Sequence, residues 1–185
     1  MQSSLAAIDY ADLRGVLAGA KSNPDLFKQI VNAPFAHHVA LASMFLGIIV
    51  LLLVDKESGT INRVAITDNQ HAERTQRRSV KKFAEIKIPL NHSENAIAIA
   101  LSTGNVQIVT DWYYLFVPEL TVAEAHFNQA DGGVGCSYVY PLKDVHDGAA
   151  LIYSYYNYPQ NLGPPQHEFM DKYAQLVESR LILAE

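Results

Sequence analysis

The sequence predicts a single α+β domain in which helices pack on an antiparallel sheet. Three observations carry this. Two pairs of apolar, β-branched or aromatic runs, 48–54 with 61–67 and 134–142 with 149–158, are each joined by a short polar turn, the pattern of a β-hairpin. Helical periodicity marks both ends of the chain, in residues 5–20 and 165–183. The length of 185 residues suits one domain, or one domain with a helical extension, and is enough to bury a sizeable core.

From the N-terminus, Leu5, Ile8, Leu13, Val16 and Leu17 share one face of a first amphipathic helix. Asn23-Pro24 places a proline at a first helical position behind a good cap, so a second helix is expected over 24–32, interrupted by Pro34, and a third over 35–44. Residues 40–54 are the most apolar stretch, yet shorter than the roughly 20 residues a membrane span needs. Gly47 divides the stretch, and Asp55 to Thr60 forms a polar turn into an alternating strand, so residues 48–54 read as a buried strand and no membrane partner is expected.

The polar segment 68–82 carries Arg74, Arg77, Arg78, Lys81 and Lys82 without interleaved aromatic residues, and reads as a solvated helix face or linker. Pro89 marks 86–90 as an edge strand because it has no ladder donor. Ser93 is the expected cap of a helix with Ala96, Ile97, Ala100 and Leu101 on its apolar face and Gly104 as its left-handed stop. A strand over 106–112 and a short helix over 121–130, ending ahead of a Gly132-Gly133 turn, lead into the second hairpin. The near-continuous hydrophobicity of that hairpin indicates a sheet covered on both faces.

Composition narrows the function classes. Hydrophobic residues make up 49% and charged residues 18%, which is globular rather than disordered. With 14 Lys and Arg against 19 Asp and Glu the net charge is −5, so no basic field draws nucleic acid through its phosphates. The lone cysteine, Cys136, cannot form an internal disulfide, and a reducing compartment is expected. No basic cluster precedes an apolar run near Met1, so no secretory signal is read and the cytoplasm is the expected location.

Three segments in order resemble the GAF domain family. They are the hairpin start Leu51-Leu52-Leu53-Val54-Asp55-Lys56-Glu57-Ser58-Gly59-Thr60-Ile61; the helix, glycine and strand from Ala96 through Gly104 to Asp111; and Gly135-Cys136-Ser137-Tyr138-Val139-Tyr140-Pro141-Leu142 followed by Gly148-Ala149-Ala150-Leu151-Ile152 and a closing helix. The resemblance implies a central antiparallel sheet of about five or six strands, with the N- and C-terminal helices on one face and short helices over a ligand pocket on the other. It divides the chain into an N-terminal helical extension, 1–22, and a GAF-like domain, 23–185. It further implies a sensory or regulatory role rather than catalysis, and a small-molecule ligand. The amphipathic ends, 5–20 and 169–181, could pair across a twofold axis, so a homodimer through the terminal helices is expected.

The aromatic segment after Asp111 is the expected pocket wall. Asp111, Trp112, Tyr113, Tyr114, Phe116, His126, Cys136 and Tyr138 are the expected ligand-binding residues, and Trp112 the built-in reporter of ligand entry. The sequence names no cofactor. The Asn-Lys-x-Asp-Glu set of the family's cyclic-nucleotide binders is missing, and Ser137 follows Cys136 where many of its photoreceptors have a Cys-His pair. The family's methionine sulfoxide reductases use more than one cysteine, which leaves a thiol-dependent reductase as the remote alternative to a sensory domain. A ligand-free interaction or dimerisation module is the nearer one. No metal is expected, because the seven histidines show no His-x-x-x-His or Glu-x-x-His pairing.

Overall fold

A computed structural model describes residues 7–37 and 40–184. Helices α1 (Tyr10–Ala18), α2 (Asn23–His37) and α3 (Ala40–Ser43) lead into β1 (Leu46–Asp55) and β2 (Thr60–Ile66). Next come α4 (Gln70–Arg77), a single 3-10 turn (Phe83–Glu85), β3 (Lys87–Pro89), α5 (Ala96–Thr103) and β4 (Gln107–Val109). The chain continues through α6 (Tyr113–Phe116), α7 (Val122–Gly132), β5 (Cys136–Leu142) and β6 (Ala149–Tyr155) to the long α8 (Pro164–Ile182). Every strand pairing is antiparallel, in the order β3-β2-β1-β6-β5-β4.

The pleat sorts side chains into two cores. On one face Ile49 and Leu51 of β1, Tyr138 and Tyr140 of β5, and Leu151 and Tyr153 of β6 meet α1, α2 and α8. On the other, Ile48, Val50 and Leu52, Val139, and Ala150 and Ile152 meet α4, α5 and the α6–α7 segment. Because neighbours on a strand point to opposite faces, a sheet filled on both sides needs the unbroken apolar runs seen in β1, β5 and β6. The α+β architecture with terminal helices on one face agrees with the sequence expectation.

Two local expectations are corrected. Pro34 lies inside α2 rather than ending it. A helical proline removes the N–H that would bond the carbonyl four residues earlier. Here that carbonyl, Ile30 O, accepts the Tyr173 hydroxyl of α8 at 2.6 Å, and the next, Val31 O, accepts the Thr67 hydroxyl at 2.9 Å. Of the expected third helix over 35–44, residues 35–37 belong to α2 and 40–43 to α3, and residues 38 and 39 lie outside the described range. Asn95, not Ser93, caps α5. Its Oδ1 accepts from Ile97 N and Ala98 N, while its Nδ2 donates to Val117 O at 2.8 Å, a double role that a serine hydroxyl two residues earlier cannot fill. The first helix runs over Tyr10–Ala18 within the expected 5–20, and Leu5 falls outside the described residues. Among the described residues no helix is long and apolar enough to cross a membrane.

Two irregularities set which residues reach the second face. Leu51 pairs with Ala65 but Leu52 with Arg63, so Val64 is an extra residue in β2. Such a bulge resets the alternation. Arg63 and Ile66, three positions apart, therefore both turn to the α6–α7 side. Gly47 is the matching extra residue in β1 against β6.

Candidate cavity between the sheet and the α6–α7 segment

The roof of this face is held by short-range polar contacts. Asp111 lies in the bend that follows β4, and its Oδ1 accepts both Tyr113 N and His126 Nε2 at 2.9 Å, tying the start of α6 to α7. Gln129 of α7 accepts from Trp112 N at 3.0 Å through Oε1 and donates to Thr110 O and Val134 O through Nε2. Thr121 caps α7 in a reciprocal box with Glu124. The α4 helix packs so closely on α7 that a Cβ on Gly132 would lie 2.3 Å from Thr75 Cγ2. Below these elements lies a cavity of about 50 Å³.

Two of the eight expected ligand-binding residues line it, Trp112 and Phe116. Trp112 is only 5% exposed, its ring 5.5 Å from that of Phe116, and its indole Nε1 donates to Ser137 Oγ at 3.0 Å. Asp111, Tyr113 and His126 belong to the roof's framework rather than the cavity wall, and Tyr114 is 47% exposed.

Cys136 and Tyr138 are corrected by strand parity. Both point to the terminal-helix face, where the Cys136 thiol meets Asn157 O at 2.8 Å and the Tyr138 ring meets those of Tyr155 and His167. The residue of β5 that does face the cavity side is the intervening Ser137. Burial pushes the Cys136 thiol up to about 11, so it is a protonated, unreactive group at neutral pH.

The residues that dominate the cavity's chemistry were not among those expected. Arg63 lies on its floor and is 6% exposed. Its Nη2 donates to Leu115 O at 2.9 Å, its Cζ stands 4.7 Å from the Phe116 ring centroid, and its Nη1 is buried without a hydrogen-bond partner among the described residues. Loss of water lowers its pKa to about 10, with the charge of Glu119 opposing that fall, so it stays cationic at neutral pH. Lys81 at the cavity edge is paired with Glu119 at 2.6 Å. Ser154 Oγ, 2.7 Å from Ser137 Oγ, and Ser79 Oγ, which accepts from Asn128 Nδ2 at 3.0 Å, join Thr75 and Gln76 in the polar lining near the ring and aliphatic walls. A signal for Arg63 was present in the sequence: it shares strand parity with Ile61, a core residue, so alternation alone puts a cation on a buried face.

No protein-family model matches the sequence, and no curated protein matches it significantly. Solved structures do match in three dimensions. The GAF domain of a phosphoenolpyruvate-protein phosphotransferase from Coxiella burnetii superposes with a TM-score of 0.61 at 11% identity, covering 94% of this chain and 90% of that one. The corresponding Acinetobacter domain gives 0.59 at 9% identity, with 94% and 90% covered. A free methionine-R-sulfoxide reductase from Neisseria meningitidis, solved with its substrate, gives 0.58 at 13% identity, with 97% and 94% covered. The class these likenesses define is a six-stranded antiparallel sheet clad by helices on both faces. More particularly, the chain has the GAF fold.

Proposed function

We propose that this chain is a sensory or regulatory domain that takes a small molecule into the cavity under α6 and α7 and signals through a partner in the cytoplasm. The observation that carries the reading is the cavity itself: a small, mostly apolar space, holding a buried cation and serine hydroxyls, on the face of the sheet away from the terminal helices. Solved neighbours include a segment of a methyl-accepting chemotaxis protein and the GAF domains of two phosphoenolpyruvate-protein phosphotransferases, which supports a regulatory reading. A cavity of about 50 Å³ is far below the roughly 300–1,000 Å³ that drug-sized ligands occupy, so the ligand has few heavy atoms unless the roof lifts.

A ligand bound by the native state alone raises stability by mass action. In a thermal-shift series over nucleotides, tetrapyrroles, amino acids and small organic acids, at least one small compound is expected to raise Tm and to change Trp112 emission. Absence of both effects across the series would reject the reading. Fluorescence is the better probe, because truncating so buried a tryptophan to alanine costs about 3–5 kcal/mol of stability on its own.

A second reading, a dimerisation module, rests on the open groove along α1 and α8, lined by Tyr10, Leu17, Leu176 and Leu183. Light scattering that finds a monomer at every concentration would remove it. A thiol-dependent reductase is the reading least supported, since the one thiol lies across the sheet from the cavity.

A further inference from the structure

We propose that Arg63 anchors an anion subsite in this cavity, and that the ligand is a small monocarboxylate whose short apolar part lies against Trp112, Phe116 and Ile152. The inference rests on the pocket reading above and specifies its ligand. Its first support is the state of Arg63. A buried cation that no carboxylate contacts is unfavourable, and Glu119, whose charge reaches Arg63, is itself paired with Lys81. A guanidinium recognises carboxylates through paired N–H donors. Arg63 forms no salt bridge among the described residues, one of its terminal nitrogens is committed to Leu115 O, and the other is buried without a partner.

A count of donors and acceptors gives the second support. Trp112 Nε1, Ser137 and Ser154 bring three polar hydrogens to two hydrogen bonds, so one serine hydroxyl hydrogen is left to give, whichever way the serine pair is oriented. Ser79 Oγ likewise accepts from Asn128 and donates to no acceptor among the described residues. Ser79 therefore offers the lining a spare donor, and Ser154 offers another when Ser137 donates to it, while no Asp or Glu lines the cavity among the described residues.

Charge and size narrow the ligand further. Lys81 is neutralised by Glu119, which leaves the single positive charge of Arg63, matched by a monoanion rather than by phosphate. The volume of about 50 Å³ exceeds the roughly 10–15 Å³ that one water requires, but suits a molecule of only a few heavy atoms. Walls that are mostly aliphatic and aromatic favour a carboxylate with a hydrocarbon end over an inorganic anion.

The test titrates the whole chain with sodium acetate, propionate and butyrate, with their neutral amides, and with inorganic phosphate, at constant ionic strength. Trp112 emission and Tm are both followed. The carboxylates are expected to give saturable changes that the amides and phosphate do not. In Arg63→Met the carboxylate Kd is expected to rise about ten- to a hundredfold, the loss of a charge-assisted hydrogen bond. The apo form of that variant should melt no lower than wild type, because methionine fills the space without a buried charge. Equal responses to carboxylates and amides in wild type, or an unchanged Kd in Arg63→Met, would overturn the anion subsite. If a neutral compound from the wider series binds equally well to both proteins, the pocket reading stands while this inference falls. Silence toward every compound defeats both.

Discussion

The Tyr173 hydroxyl on Ile30 O is the contact that lets a proline sit in mid-helix. Without it a buried carbonyl has neither its helical donor nor a substitute, at a cost of about 1–3 kcal/mol. Tyr173→Phe is therefore expected to lower stability by about that amount in urea unfolding. In a Pro34→Ala background the restored backbone N–H can bond Ile30 O, so the same substitution should cost clearly less, and strictly additive effects in this double-mutant cycle would contradict the explanation. A sequence shows that Pro34 lacks an N–H, but not that a hydroxyl 139 positions later replaces it. Arg63 was more legible, since its parity with Ile61 marked it as inward-facing. Cys136 and Tyr138 are expected with Trp112 among the ligand-binding residues. Parity along β5 separates them, and only Ser137 looks toward the indole.

At the level of elements, the hairpins, the covered sheet and the capped helices could be read from alternation, turn residues and caps. The bulges could not, because Val64, Ala65 and Ile66 form a continuous apolar run in which no residue is marked as the extra one. Gly47 is a visible trace of the other bulge. A Cβ there would lie 2.1 Å from the Tyr156 hydroxyl and 2.4 Å from its Cζ, so the ring itself must move. That ring packs on His71 at the start of α4, with centroids 4.4 Å apart. Gly47→Ala is expected to destabilise the protein by about 1–3 kcal/mol through overpacking, and chemical denaturation measures it directly. Gly47→Ala combined with Tyr156→Leu should recover part of the loss. The expected wall after Asp111 contributes Trp112, Leu115 and Phe116, but the space itself does not show in the sequence. Its floor comes from β1, β2 and β6, and only the folded sheet brings Arg63 within reach of Leu115, 52 residues away.

For the whole molecule, the buried hydroxyl and thiol groups of the terminal-helix face set an alkaline limit. Burial holds Tyr153, Tyr155 and Tyr173 well above their ordinary value of 10.0, and Cys136 at about 11 against 9.0. A raised folded pKa means that the unfolded chain releases protons which the native state still holds. Stability is therefore intact below about pH 9 and falls as pH rises beyond it, by about 1.4 kcal/mol per pH unit for each group ionised only in the unfolded chain. Melting temperatures measured from neutral to strongly alkaline pH should be level at first and then drop, with tyrosinate absorbance appearing together with unfolding. Tyrosinate formed well ahead of unfolding would refute the assignment. Val64 has a different kind of consequence, for comparison between genes. The ladder needs no residue at that point, so losing Val64 would join Arg63 directly to Ala65 and turn neither half of β2 over. Length can drift there by one codon while side chains keep their places. An alignment of related genes that refuses a gap at this column will therefore match inward-facing residues to outward-facing ones along half of the strand.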